Sequence, residues 1–137
     1  MKKGRFLVVG ILIVLIVIFL SFVFASDMLA LQGNVQQSGV NLASGDLQVV
    51  IYDAYTGGNI IYNSSSDFVG NVTSGKYDVM LGNGTQKLNL EYGKVYYIEL
   101  YVNGGSGYEI FSFNGKARQS FQSSVGNVSF TYINGSA

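Results

Sequence analysis

Between Arg5 and Asp27 the chain carries no charge. Phe6 to Phe24 reads FLVVGILIVLIVIFLSFVF, interrupted only by Gly10 and Ser21. At about 1.5 Å per helical residue such a run is long enough to cross the hydrocarbon layer. The lipid-facing positions are expected to be Phe6, Leu7, Val8, Val9, Ile11, Leu12, Ile13, Val14, Leu15, Ile16, Val17, Ile18, Phe19 and Leu20. Lys2, Lys3 and Arg5 stand before the run, and the next charge is Asp27. The bias of basic residues puts the N-terminus in the cytoplasm and everything after the run outside. Residues 1–25 are therefore expected to be a signal-anchor helix in contact with membrane lipid, and 26–137 one extracytoplasmic domain.

Two processing routes compete with retention of the anchor. Val23-Phe24-Ala25 is a tolerable signal-peptidase site, and cleavage there would leave Ser26 first. Lys2-Lys3-Gly4 before an apolar helix is similar to the processing site of archaeal type IV prepilins, in which cut the helix would become a filament core.

Beyond the run the chain holds five basic against eight acidic side chains, which leaves no basic footprint for nucleic acid. The sequence contains no Cys and no His, so thiolate nucleophiles, imidazole bases and ordinary structural zinc sites are excluded together. The acidic residues do not fall in the dense spacing of a calcium loop. A glycosidase needs two facing carboxylates, but no pair is selected by spacing and Trp is absent. The expectation is a protein that is not an enzyme, with no cofactor, no metal and no catalytic residue.

With no Pro and 18 Gly, turns must be built from Gly, Asn, Asp and Ser. Alternation of period two is clear where Leu47, Val49 and Ile51 face one way and Gln48, Val50 and Tyr52 the other. It recurs over Tyr77 to Leu81, and over Tyr96 to Val102, where Ile98, Leu100 and Val102 alternate with Tyr97, Glu99 and Tyr101. Further strands are expected over Ala30 to Val35, Asn59 to Tyr62, Phe68 to Val72, Tyr108 to Phe113 and Val128 to Ile133. Turn clusters at Thr56-Gly57-Gly58, Thr73-Ser74-Gly75, Gly82-Asn83-Gly84 and Asn103-Gly104-Gly105 separate them. Seven or eight strands at this spacing predict an all-β domain: a two-sheet antiparallel Greek-key sandwich, with a small closed barrel as the alternative.

The ordered set Leu31-Gln32-Gly33, Gly45-Asp46-Leu47, Ile51-Tyr52-Asp53-Ala54, Gly57-Gly58 and Ile61-Tyr62 resembles the opening of a β-sandwich module found near the N-termini of bacterial and archaeal surface and fibre proteins. Gly75 to Gly82, Leu88-Asn89-Leu90, Tyr96 to Leu100, Val102-Asn103-Gly104 and Ala117-Arg118-Gln119-Ser120-Phe121 are similar to its later half. The resemblance implies a non-catalytic building block for structure and display. Arg118 is expected to pair with a carboxylate or to cap backbone carbonyls.

Asn63, Asn71, Asn83, Asn127 and Asn134 each stand two residues before a Ser or Thr, forming acceptor sequons for N-glycosylation on the outer side. The combined reading is a membrane-anchored cell-surface glycoprotein of archaeal type, structural or adhesive. The alternatives are a subunit of an extracellular filament, pilin-like or assembled by strand donation, and a carbohydrate-binding adhesin head. Candidate partners besides lipid are accordingly other surface proteins, identical subunits or glycans.

Overall fold

The computed structural model describes residues 26–123 in full and the backbone course of residues 128–136. The candidate span at 6–24 and the sequon residue Asn127 lie outside the described residues. Among the described residues no helix is long and apolar enough to cross a membrane.

Every regular element described is a strand: β1 (Leu29–Gln37), β2 (Val40–Asn41), β3 (Ser44–Tyr52), β4 (Ile60–Asn63), β5 (Phe68–Thr73), β6 (Lys76–Leu81), β7 (Val95–Asn103), β8 (Tyr108–Ile110), β9 (Arg118–Gln122) and β10 (Val128–Ser136). The all-β expectation holds, and each strand expected from alternation is present. Two more appear, β2 and β9. The former spans two residues, and the latter has only Phe121 as a core-facing apolar side chain, so neither carries a readable alternation.

The hydrogen-bonded path is continuous, in the order β10-β1-β6-β5-β3-β7-β8, with β2, β4 and β9 attached to β1, β3 and β7. The strands thus make one curled sheet instead of two separate ones. The curl comes at β5, which pairs with β3 through Val72 and Phe68 and with β6 only at Thr73 and Lys76. At the centre of the other limb, β3 and β7 pair antiparallel from Asp46 and Asn103 to Tyr52 and Tyr97. Each has a divided outer edge: β5 and β4 share that of β3, and β8 and β9 share that of β7. One pair departs from the antiparallel pattern, because β10 runs parallel to β1 from Leu29 beside Val128 to Gln36 beside Ser136.

Both limbs turn their alternating apolar side chains toward one core. Leu29, Leu31 and Val35 of β1 and Tyr77, Val79 and Leu81 of β6 meet Leu47, Val49 and Ile51 of β3 and Ile98, Leu100 and Val102 of β7. Phe111 and Phe113 close it edge to face, with centroids 5.5 Å apart. Each such side chain contributes about 1.5–3 kcal/mol by leaving water, which explains why a domain without disulfides holds together.

The hairpins follow from turn chemistry. Ser38-Gly39 joins Gln37 to Val40, Ser74-Gly75 joins Thr73 to Lys76, and Asn114-Gly115 joins the bridged pair Phe113 and Lys116. All six turn residues have positive φ, the two-residue type I′ geometry whose twist matches that of the flanking strands. At Gly75 the requirement is double, since φ is +72° and a Cβ there would lie 2.7 Å from the Cβ of Asn41.

Candidate functional site

On the outer face of the β3 and β7 ladder, alternation predicts wet side chains, yet Glu99 is only 5 % exposed and Val50 beside it 4 %. The cover is Arg118. Strand β9 pairs Arg118 with Glu99 in register, and its Nε donates to Glu99 Oε2 at 2.8 Å. The other carboxylate oxygen, Oε1, accepts the hydroxyl of Tyr101. Arg118 Nη1 reaches past the ladder to the carbonyl oxygens of Ala54 and Gly57, both at 2.8 Å. The guanidinium also lies 3.4 Å from the centroid of the Tyr52 ring, a cation–π stack.

Arg118 therefore does both things expected of it, pairing with a carboxylate and capping carbonyls. Residues from four separate motifs meet at one point: Tyr52 and Ala54, Gly57, Glu99, and Arg118. The guanidinium fixes the 53–59 loop to the sheet, and the far side of that loop is closed by Asp53, whose carboxylate accepts from the backbone N–H of Asn59 at 2.7 Å and its side-chain amide at 2.9 Å. Those bonds, the side-chain one foremost, hold the Asp53 carboxyl below the usual carboxylate range.

Chemically the cluster is closed. Glu99 has both oxygens occupied, and the Tyr101 phenol is held well above the ordinary range, chiefly because its proton is shared with that carboxylate. Burial likewise raises Tyr77, whose hydroxyl has no hydrogen-bond partner among the described residues. Among the described residues, no group of three or more His, Cys, Asp or Glu side chains could hold a metal ion.

Tyrosines surround this cluster. The register sets Tyr52 opposite Tyr97, Tyr101 opposite Ile110 and Tyr108 opposite Asn103, while Tyr55 meets Tyr97 edge-on at 5.9 Å. Rings on the wet face of a strand gain contact area from cross-strand neighbours, and their grouping on one face depends on which strands become neighbours, which no local pattern in the sequence specifies.

The sequons are dispersed. Asn71 is exposed on β5, and Asn83 is exposed in the turn after β6, where Thr85 and Gln86, beyond Gly84, donate their N–H groups to Asp67. Asn63 ends β4, half-buried, with its Oδ1 accepting from Gln48 Nε2 at 3.0 Å and from the N–H of Ser65 at 2.8 Å. The intervening Ser64 is fully buried and bonds Val49 in both directions, its Oγ accepting and its N–H donating at 2.9 Å. Asn134 lies in β10, opposite Asn34.

The first described residues are tied into the domain. Ser26 Oγ donates to the carbonyl of Gly82 at 3.0 Å and accepts from the N–H of Leu88 at 3.2 Å, and Asp27 Oδ2 accepts from the N–H of Leu90 at 2.7 Å.

No curated protein and no solved structure matches the chain. Residues 30–119 match the model of a family described as a domain of unknown function, DUF8740. That stretch runs from β1 to the Gln119 that follows Arg118, so it contains the whole Arg118 cluster, and the chain belongs to this family.

Proposed function

We propose that the chain is a membrane-anchored surface protein whose domain, its two sheet limbs read as the layers of a Greek-key sandwich, is a non-catalytic structural or adhesive element of the cell envelope. The observation that carries this reading is the junction at Ser26 and Asp27. The apolar run ends at Phe24, and two residues later the side chains of Ser26 and Asp27 already bond the backbone of Gly82, Leu88 and Leu90. An anchor joined so directly would hold the domain close against the bilayer, with the 82–94 loop and its Lys87, Tyr92 and Lys94 at the water–lipid boundary, where amphipathic side chains of this kind are favoured. A glycan on Asn71 would project from an exposed position on β5.

The test is made on the full chain in intact cells. Alkaline carbonate should leave it in the membrane fraction, external protease should remove the domain, and intact mass should give an N-terminus at Met1 with added sugar. Recovery as an unprocessed soluble cytoplasmic protein would overturn the reading. An N-terminus at Ser26 would replace anchoring by secretion, and one at Arg5 would turn it toward a pilin.

A filament subunit is the second reading, favoured by β10. This strand has β1 as its neighbour in the sheet order and pairs with it in parallel, so the same ladder can form between copies. Filaments in negative stain that disappear on deletion of residues 126–137 would support it, and monomers at every concentration would exclude it.

A further inference from the structure

Among the described residues, five tyrosines lie on the outer face of the β3 and β7 ladder: Tyr52, Tyr55, Tyr97, Tyr101 and Tyr108. Tyr55 and Tyr108 are 49 % and 43 % exposed, and Tyr55 stands at 67° to Tyr97, so the two rings form an open corner. Tyr97 and Tyr101, four residues apart on β7, are separated by about 13 Å at the usual rise of a strand. Beneath the rings the charge is cancelled, because Arg118 neutralises Glu99 and stacks on Tyr52.

The amides on this face are oriented from within. The N–H groups of Gly105 and Gly107 donate to Asn103 Oδ1 at 2.8 and 3.0 Å, and Gln48 Nε2 donates to Asn63 Oδ1. These bonds use the carbonyl ends of Asn63 and Asn103 and leave their NH2 groups, with Gln48 Oε1, to hydrogen-bond a ligand.

We propose that this face binds a neutral oligosaccharide a few pyranose rings long. A pyranose offers C–H groups on its flat side and hydroxyls around its edge. Tyr rings accommodate the first, while tyrosine hydroxyls and fixed amide groups meet the second. The ion pair cancels its own charge, and the Asp46 carboxylate on the same face, opposite Asn103, repels an anionic ligand. Exposed tyrosines also serve protein interfaces, so a protein partner is kept as an outcome of the test, and the outward amide donors and acceptor beside the rings favour the sugar. The biological setting rests on the surface reading above, but binding is measured in vitro and does not depend on where the domain sits in the cell.

The full chain, made in a host that adds no N-glycans and held in lipid nanodiscs, is titrated with cellohexaose, chitohexaose and mannohexaose. Binding is followed by calorimetry and by tyrosine fluorescence, and a multivalent display of each sugar is tested alongside. At least one hexaose should bind, and Tyr97→Ala or Tyr55→Ala should weaken it about tenfold. Tyr92→Ala, on the 82–94 loop, should leave binding unchanged, and circular dichroism checks that each variant is folded. The proposal is overturned if no hexaose binds even in multivalent form, or if Tyr92→Ala matters as much as Tyr97→Ala. Self-association that is lost in Tyr97→Ala and not competed by any hexaose would also overturn it, by assigning the face to a second copy of the chain.

Discussion

Arg118 donates its Nε hydrogen to Glu99 across the β9 and β7 pair at 2.8 Å, and the pair lies on the side of the sheet that faces away from the core. A buried ion pair on an outer face is costly to desolvate, and it persists here because Tyr101, Tyr52 and two loop carbonyls satisfy the remaining groups. It joins β9, β7, β3 and the 53–59 loop, so its effect is on the arrangement of those elements.

Removing one partner leaves the other charge buried. Arg118→Ala should lower the unfolding free energy by about 3–5 kcal/mol in urea melts followed by circular dichroism. Arg118→Lys should recover little of it, because an ammonium cannot reach Glu99 and both loop carbonyls while lying flat on Tyr52. Equal stability of Arg118→Lys and the parent would show that charge alone suffices.

Tyr77 hides a hydroxyl without a partner among the described residues, so Tyr77→Phe should raise stability by about 1 kcal/mol. A loss of comparable size would reveal a hydrogen bond to that oxygen.

Alkaline pH provides a second test of the tyrosines. In the folded domain Tyr101 is raised by its bond to Glu99, and Tyr77 by burial. The folded state therefore keeps these protons after the unfolded chain releases its own near pH 10. Their contribution is complete below that pH and is lost as pH rises beyond it. Urea midpoints should fall between pH 9 and 11, about, and the fall should be shallower in Tyr101→Phe.

Two hairpin glycines with similar backbone angles should respond differently to alanine. At Gly39 nothing lies within 4 Å of an added Cβ, so Gly39→Ala should cost only the left-handed penalty, about 1–2 kcal/mol. At Gly75 the same penalty adds to an overlap with Asn41, and Gly75→Ala should cost clearly more, about 3 kcal/mol or above. Equal thermal midpoints for the two variants would contradict this.

Asp67 links the loop before β5 to the turn after β6 by accepting from Thr85 and Gln86 at 3.1 and 3.0 Å. Asp67→Ala should cost about 1–2 kcal/mol and speed amide exchange at those two N–H groups, while the β3 and β7 ladder keeps its protection.

Sequence by itself determined the all-β class, the main strands and, of the two-residue hairpins, the one at Ser74-Gly75. Alternation with period two and Ser-Gly or Asn-Gly pairs act over neighbouring residues, and a local rule can be read without a partner. It also showed what Arg118 would do, because a guanidinium in a folded domain must satisfy its charge and its donors. Tertiary structure alone decided which carboxylate it meets. Glu99 stands on the polar side of an alternating strand and reads as solvent-facing, and it is buried only because β9 arrives beside β7 in a register that sets Arg118 against it. The parallel placement of β10, the joining of the strands into one curled sheet and the gathering of five tyrosines were equally beyond local reading. Each depends on strand neighbours far apart in the chain, and pairing between distant segments is fixed by the shape of the shared core.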